Sequence, residues 1–261
     1  MAPPRIVFLM YHELQLAGRE LCQSEPGYVR YILPVEEFGN QMAWMKQSGF
    51  RGVSVSEALL FPAQPSVCIT FDDGCETDLI AAAPRLREFD FHATFYVTAG
   101  LLDTPGYLSS KQLRELDSLG FEIGCHSMTH RYLSDLAEME LKREIVDAKQ
   151  RIEQIVGHAV AHFSCPGGRY DRRTIEMARR AGFRSVANSD FHANSAATSN
   201  YQLGRVAMLR DLSIEEFSDI CHGCGLWRRR LQQQIRRAAQ RLLGNRAYDQ
   251  LRSVLLGESR R

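Results

Sequence analysis

Two adjacent carboxylates, Asp72 and Asp73, follow the apolar run Val67-Cys68-Ile69-Thr70-Phe71 and precede Gly74. Like charges that close favour a bound cation, which holds one carboxylate ionised while its neighbour stays free to take a proton. Further along, His126-Ser127-Met128-Thr129-His130 offers two imidazoles. One carboxylate and two histidines make a three-ligand set. Three protein ligands with an open position suit a catalytic zinc, whereas a structural site is closed by four. The same set also suits other divalent transition ions.

Residues so far apart in sequence need a scaffold that collects them. Short β-rich runs alternate with longer helical patterns, the signature of β/α units around a parallel sheet or barrel. The predicted strands are Ile6 to Met10, Val67 to Phe71, Ala93 to Val97, Phe121 to Gly124, His162 to Cys165, Ser185 to Ala187 and Gly204 to Met208. Helical periodicity covers Val35 to Ser48, Asp78 to Glu88, Ser109 to Leu119, Ser134 to Val156, Asp171 to Ala181 and Ser213 to His222. Ser109, Ser134 and Asp171 are placed to cap helices, and Gly49, Gly120, Gly157 and Gly182 to end them. The predicted fold is α/β: a distorted (β/α) barrel with seven parallel strands over residues 1–222, followed by a basic helical extension over 223–261. In such a barrel the chemistry belongs at the C-terminal ends of the strands. Tyr11 and His12, Asp72 and Asp73, His126 and His130, and Pro166-Gly167-Gly168 each follow a separate predicted strand.

The chain has 261 residues, 44% of them apolar and 24% charged, enough for one large domain. Its net charge of +1 argues against a general nucleic-acid binder. Seven cysteines, an odd and scattered set, suit reduced thiols rather than a disulfide framework. Cys221-His222-Gly223-Cys224 has no second pair to complete a four-thiolate site and reads as two thiols near a helix end. Ile6 to Met10 is too short for a signal peptide, and no apolar stretch approaches a membrane span, so a cytoplasmic location is expected.

Thr70-Phe71-Asp72-Asp73-Gly74 and His126-Ser127-Met128-Thr129-His130, in this order and at this separation, resemble the first two motifs of the polysaccharide deacetylase family, the NodB-homology group of carbohydrate esterases. That resemblance spans roughly residues 5 to 210. It implies that Asp73, His126 and His130 bind a divalent metal, zinc for preference, and that Asp72 is the general base acting on a metal-bound water. A metal lowers the pKa of such a water from about 15.7 towards roughly 7. The tetrahedral oxyanion formed on the acetamide would be met by the metal and by a backbone N–H of the Pro166-Gly167-Gly168 loop, where glycine lets the main chain come close. Ser127 and Thr129 are expected to make loop hydrogen bonds that orient the imidazole rings.

Two departures from the family pattern stand out. Where many relatives carry an arginine that orients the base, this chain has Ser164; Arg169, beyond the glycines, reads as a surface residue. The last motif usually brings a histidine that protonates the leaving amine, and Leu203-Gly204-Arg205-Val206-Ala207-Met208 has none. His192, after the sixth strand, and His12, in Leu9-Met10-Tyr11-His12, are the candidates for that proton donor. Leu9-Met10-Tyr11-His12 resembles a branch of the family acting on exopolysaccharide or lipid-linked sugars.

From Trp227 to Arg246 the chain holds seven arginines and no acidic residue, with Leu226, Leu231, Ile235, Ala238 and Leu242 at helical spacing. Such a basic amphipathic helix can pack on the domain or lie on an anionic membrane. The expected activity is metal-dependent deacetylation of an N-acetylated sugar in a bacterial polysaccharide or lipid-linked precursor. The alternatives are hydrolysis of another amide or formamide C–N bond, and metal-containing glycan binding with little catalysis.

Overall fold

The computed structural model describes residues 5–62, 64–226 and 231. Its strands, in chain order, are β1 (Arg5–Tyr11), β2 (Leu14–Gln15), β3 (Leu33–Pro34), β4 (Arg51–Val53), β5 (Ser66–Phe71), β6 (Thr94–Val97), β7 (Glu122–Cys125), β8 (His162–Ser164), β9 (Ser185–Ala187), β10 (Asn194–Ser195) and β11 (Val206–Ala207). All seven strands expected from the sequence are present. They run parallel in the order β11, β1, β5, β6, β7, β8, β9. The sheet curls until its ends almost meet: Leu203 donates its N–H to Val186 O (3.0 Å) and accepts from Asn188 N (2.8 Å), and three residues later Val206 pairs with Leu9 of β1.

The pieces not foreseen are short. β4 adds beside the start of β5, β10 pairs antiparallel with β1, and β2 and β3 form a separate two-stranded sheet. Strands of two or three residues carry no measurable period. The helices lie where the periodicity put them, with one correction. Ser134 falls in a 3₁₀ turn (Leu133–Asp135), and the long helix starts later, at Glu138, with Ala137 preceding it. Ser109 and Asp171 do cap their helices, and Gly49, Gly120, Gly157 and Gly182 all take positive φ. The extension expected from Trp227 to Arg246 lies, apart from Leu231, outside the described residues.

Side-chain alternation decides what reaches the interior. Val7, Leu9, Tyr11, Val67, Ile69, Phe71, Phe95 and Val97 point outward into the core under the helices, whereas Ile6, Phe8, Cys68, Tyr96, Ala187 and Leu203 form an inner cluster. On the outer face Tyr11, Phe71, Phe95 and Phe121 form a row with centroids 5.2, 4.9 and 5.4 Å apart. Each such pair contributes about 0.5–1.5 kcal/mol beyond area burial. Counting inward in steps of two from Cys68 passes through Thr70 to Asp72. The same phase on β7 and β8 turns His126 and Ser164 inward. At Gly124 the ring of Tyr96 leaves no room for a side chain: an added Cβ would lie 2.4 Å from Tyr96 Cδ1.

Candidate active site

The parallel ladders continue one residue past several strand ends and so lift the chemistry-bearing residues onto one rim. Asp72 N donates to Tyr11 O (3.0 Å) and His126 N to Val97 O (2.8 Å). Asp72, Asp73 and His126 are buried there, and His130 is half-buried.

Asp72 is held from inside the barrel. Arg205 Nη1 donates to Asp72 Oδ1 and Arg205 Nη2 to Asp72 Oδ2, both at 2.7 Å. The same guanidinium donates to Ser164 Oγ (2.6 Å), Thr70 Oγ1 (3.2 Å) and, through Nε, to Asn188 O (3.0 Å). Arg205 is 0% exposed and Asp72 2%. Burial alone pushes the Asp72 carboxyl up, but the Arg205 guanidinium, with a smaller contribution from His126, outweighs it and holds the group below the usual carboxylate range. The orienting arginine that Ser164 lacks therefore arrives from the opposite edge of the sheet, and Ser164 joins the same network.

Asp73 is held from outside. Its φ of 80° places it in the left-handed region, followed by Gly74 at 79°, so the chain turns away from the β5 direction at once. Asp73 Oδ2 accepts from the Tyr28 hydroxyl (3.0 Å). Asp73 Oδ1 is buried with no hydrogen-bond partner, and lies 3.5 Å from His126 Nε2 and 3.3 Å from His130 Nε2. His126 Nδ1 donates to the Ser164 carbonyl (3.0 Å), which leaves Nε2 as the bare nitrogen of a neutral ring. Burial is the main reason that ring stays neutral, lowering it to about 4, with Asp72 opposing. The ligand atoms of Asp73, His126 and His130 lie within 4.8 Å of one another. A carboxylate oxygen facing a bare ring nitrogen is repulsive unless a cation sits between them, so the donor set fits a divalent metal.

The loop carrying the histidines is strained and clamped. Ser127 (φ 69°) and His130 (φ 59°) are both left-handed. Buried Glu144 accepts from Met128 N (2.9 Å), Thr129 N (2.8 Å) and the Thr129 hydroxyl, and Ser127 Oγ accepts from His130 N (3.0 Å). Ser127 and Thr129 thus hold the loop backbone, while the His126 ring is oriented by Ser164. Glu144 lies in a π-helical stretch, Arg143–Asp147, inside the long helix; such bulges are frequent at functional sites.

Pro166–Gly168 forms a 3₁₀ turn with Gly167 and Gly168 at positive φ, and the N–H groups of Gly168 and Arg169 donate within the turn, to Cys165 O (2.9 Å) and Pro166 O (3.2 Å). Arg169 lies over the Tyr132 ring, 3.8 Å from its centroid. His12 directly follows β1, half-buried, with its ring 5.2 Å from that of Tyr31 and 6.3 Å from that of Tyr28. Burial lowers its pKa, opposed by the charges of Asp73 and Asp72, so its ring is within electrostatic reach of both carboxylates. His192 packs on Gly204, where an added Cβ would lie 2.4 Å from its Cε1.

A curled parallel sheet with two carboxylates and two histidines on its C-terminal rim defines a hydrolase of the NodB type. The polysaccharide deacetylase family model matches residues 62–186, and this match, with the relatives below, supports membership of that family. It is 26% identical over 221 residues to YxkH of Bacillus subtilis (strain 168), covering 82% of this chain and 75% of that one. Against the peptidoglycan-N-acetylglucosamine deacetylase of Bacillus cereus the identity is 32% over 121 residues, 46% of this chain and 54% of the relative. Among solved structures, the Streptococcus pyogenes deacetylase PplD in complex with acetate superposes with a TM-score of 0.74 at 25% identity, covering 84% of this chain and 99% of that one.

Three residues of the site escaped sequence reading: Arg205, Tyr28 and Glu144. Arg205 carried a signal, since a lone charge inside the apolar stretch Leu203 to Met208 must point inward to a partner. Tyr28 and Glu144 carried none, one lying on the four-residue helix Pro26–Val29 and the other on the polar side of a long helix pattern.

Proposed function

We propose that this protein hydrolyses the acetamide of an N-acetylated sugar in a bacterial polysaccharide or a lipid-linked precursor, with a divalent metal, zinc for preference, at Asp73, His126 and His130. One observation carries the reading: a partnerless carboxylate oxygen and two imidazole nitrogens converge beside a second carboxylate that is kept ionised and fixed in orientation. A cation held there would supply Lewis-acid polarisation of the amide carbonyl and would acidify a water. Asp72 takes the proton of the attacking water, its plane set by the two Arg205 hydrogen bonds. His12 then protonates the departing amine, supported by its position within electrostatic reach of Asp72 and Asp73. His192, which follows the sixth predicted strand and packs on Gly204, is the other candidate for that proton. The Pro166–Gly168 turn, two residues beyond the Ser164 hydroxyl that contacts Asp72 and Arg205, is the proposed oxyanion loop.

The test is acetate release from N-acetylglucosamine oligomers by wild type, Asp72→Asn, His12→Gln and His192→Gln. General-base and general-acid roles are each worth about 10²–10⁴-fold, so Asp72→Asn and one of the histidine variants should fall by that order while still binding metal. Stoichiometric metal without turnover on any acetylated sugar would favour glycan binding, and turnover confined to non-sugar amides would favour another C–N substrate. The arginines between Trp227 and Arg246 support contact with an anionic membrane surface, which cosedimentation with anionic and neutral vesicles tests. Among the described residues no helix is long and apolar enough to cross a membrane.

A further inference from the structure

The Tyr28 hydroxyl that touches Asp73 also lies 3.9 Å from Cys75 Sγ, at the edge of a second group of ligand atoms. One carboxylate oxygen of Glu13 and the sulfurs of Cys22 and Cys75 lie within 4.8 Å of one another. Glu13 is 1% exposed, Cys75 is fully buried and Cys22 half-buried. One helical turn beyond Cys75 comes Asp78, 1% exposed, and neither of its carboxylate oxygens has a hydrogen-bond partner. A buried carboxylate left unsatisfied costs about 1–3 kcal/mol or more.

Neighbouring charges make the omission more costly. The groups that bear most strongly on the Asp78 carboxyl, after burial itself, are Asp73, Cys22, Asp72 and Glu13, all acidic. Arg19 offsets part of the charge on Glu13, but its guanidinium is bound to Glu76 and to the Gly106 carbonyl. Two sulfurs and one carboxylate converge at a largely buried spot, where the Cys22 thiol donates to the Gly106 carbonyl (3.0 Å). Both Glu13 oxygens accept from Cys22 N (3.0 and 3.1 Å), and each keeps a further lone pair.

We propose that Glu13, Cys22 and Cys75 form a second metal site for a thiophilic divalent ion such as Zn²⁺, with the unpartnered Asp78 carboxylate one helical turn beyond Cys75. Two sulfurs and a carboxylate select a softer ion than the Asp73 set does. The ion would join Glu13, between β1 and β2, and Cys22, in the following loop, to the turn after β5 through Cys75. Such a clip closes long loops, where cross-links restrict the unfolded chain most. It would also fix the wall on which Tyr28 holds Asp73.

The test is Co²⁺ loading of the full-length, reduced, metal-stripped protein. Two bound equivalents are expected, one of them giving thiolate-to-cobalt charge-transfer absorption in the near ultraviolet. Cys22→Ser or Cys75→Ser should remove that band and one equivalent, whereas His126→Ala should remove the other equivalent and leave the band. Because a serine variant can lose its fold, a second measurement uses the unaltered cysteines: Zn²⁺ should slow alkylation of Cys22 by about tenfold or more, in wild type and in His126→Ala alike. A charge-transfer band that survives Cys22→Ser, a wild type without any such band, or a Cys22–Cys75 disulfide in the protein as isolated would each overturn the proposal. The His126→Ala arm reads the Asp73 site separately, so loss of one site is not mistaken for loss of the other.

Discussion

Arg205 and Asp72 meet in a two-pronged ion pair, 2.7 Å at each prong, inside a barrel where neither is exposed to water. Every other polar contact of that guanidinium also goes to the rim: Thr70, Ser164 and the Asn188 carbonyl. The pair fixes the plane of the carboxylate that faces the histidines, with Asp72 Oδ2 lying 3.6 Å from His126 Nε2.

Breaking that pair from one side should be costly. Arg205→Ala leaves a buried carboxylate without its cation, and about 3–5 kcal/mol of stability should go with it. Arg205→Lys keeps the charge but loses the fork, so it should fold better than the alanine variant and still lose most acetate release. Urea unfolding and acetate assays on both variants check this; lysine restoring full activity would refute the orienting role.

Removal of metal should abolish acetate release and leave the fold in place. Chelation followed by gel filtration is expected to give a folded, inactive protein that Zn²⁺ or Co²⁺ reactivates. Retention of activity at undetectable metal content would contradict the assignment of Asp73, His126 and His130.

On the proposed function, Glu144 and Tyr28 would act through the metal ligands. Glu144→Gln loosens the loop that carries His126 and His130, and Tyr28→Phe removes the donor to Asp73 Oδ2. Outer partners of metal ligands are typically worth 10–100-fold in affinity. Competition with a chromophoric chelator measures each variant, and unchanged metal affinity in both would show that neither residue supports the site.

At the opposite end of the barrel, Glu122 accepts from Val55 N (3.1 Å), Ser56 N (3.3 Å) and the Thr94 hydroxyl, 3.3 Å from His162 Nε2. Burial pushes the Glu122 carboxyl up, but its His162, Ser56 and Thr94 contacts together bring it down to about 2. A lowered folded-state pKa stabilises the protein above the ordinary Glu value of about 4.3, and that stability is lost as pH falls towards 2. The loss should be on the order of 3 kcal/mol across that window. Glu122→Gln should be less stable at neutral pH yet show a flatter acid limb in urea midpoints; an unchanged slope would argue against Glu122 as its source.

The strand ends and the cluster of Asp72, Asp73, His126 and His130 were legible because each rests on a local rule. Apolar runs gave β5 and β7, and two short motifs gave Asp72, Asp73, His126 and His130. The partners were not legible, since Arg205 reaches Asp72 across 133 residues and Tyr28 reaches Asp73 across 45. Only the curl of the sheet brings those pairs together. Ser164 illustrates the same point: in the sequence it marks a missing arginine, whereas in the fold it is the hydroxyl on which the replacement arginine rests. The family match, residues 62–186, stops short of Tyr28 and His12 at one end and of Arg205 at the other. The residues that individualise this site therefore lie outside the segment that identifies it.

The near-closure of the sheet through Leu203 also sets an order of assembly. A growing chain has both aspartates and both histidines by residue 130, yet the anchor of Asp72 comes only with Arg205. On the proposed function, a chain ending before residue 203 would carry the proposed ligands but lack the guanidinium that fixes both oxygens of Asp72.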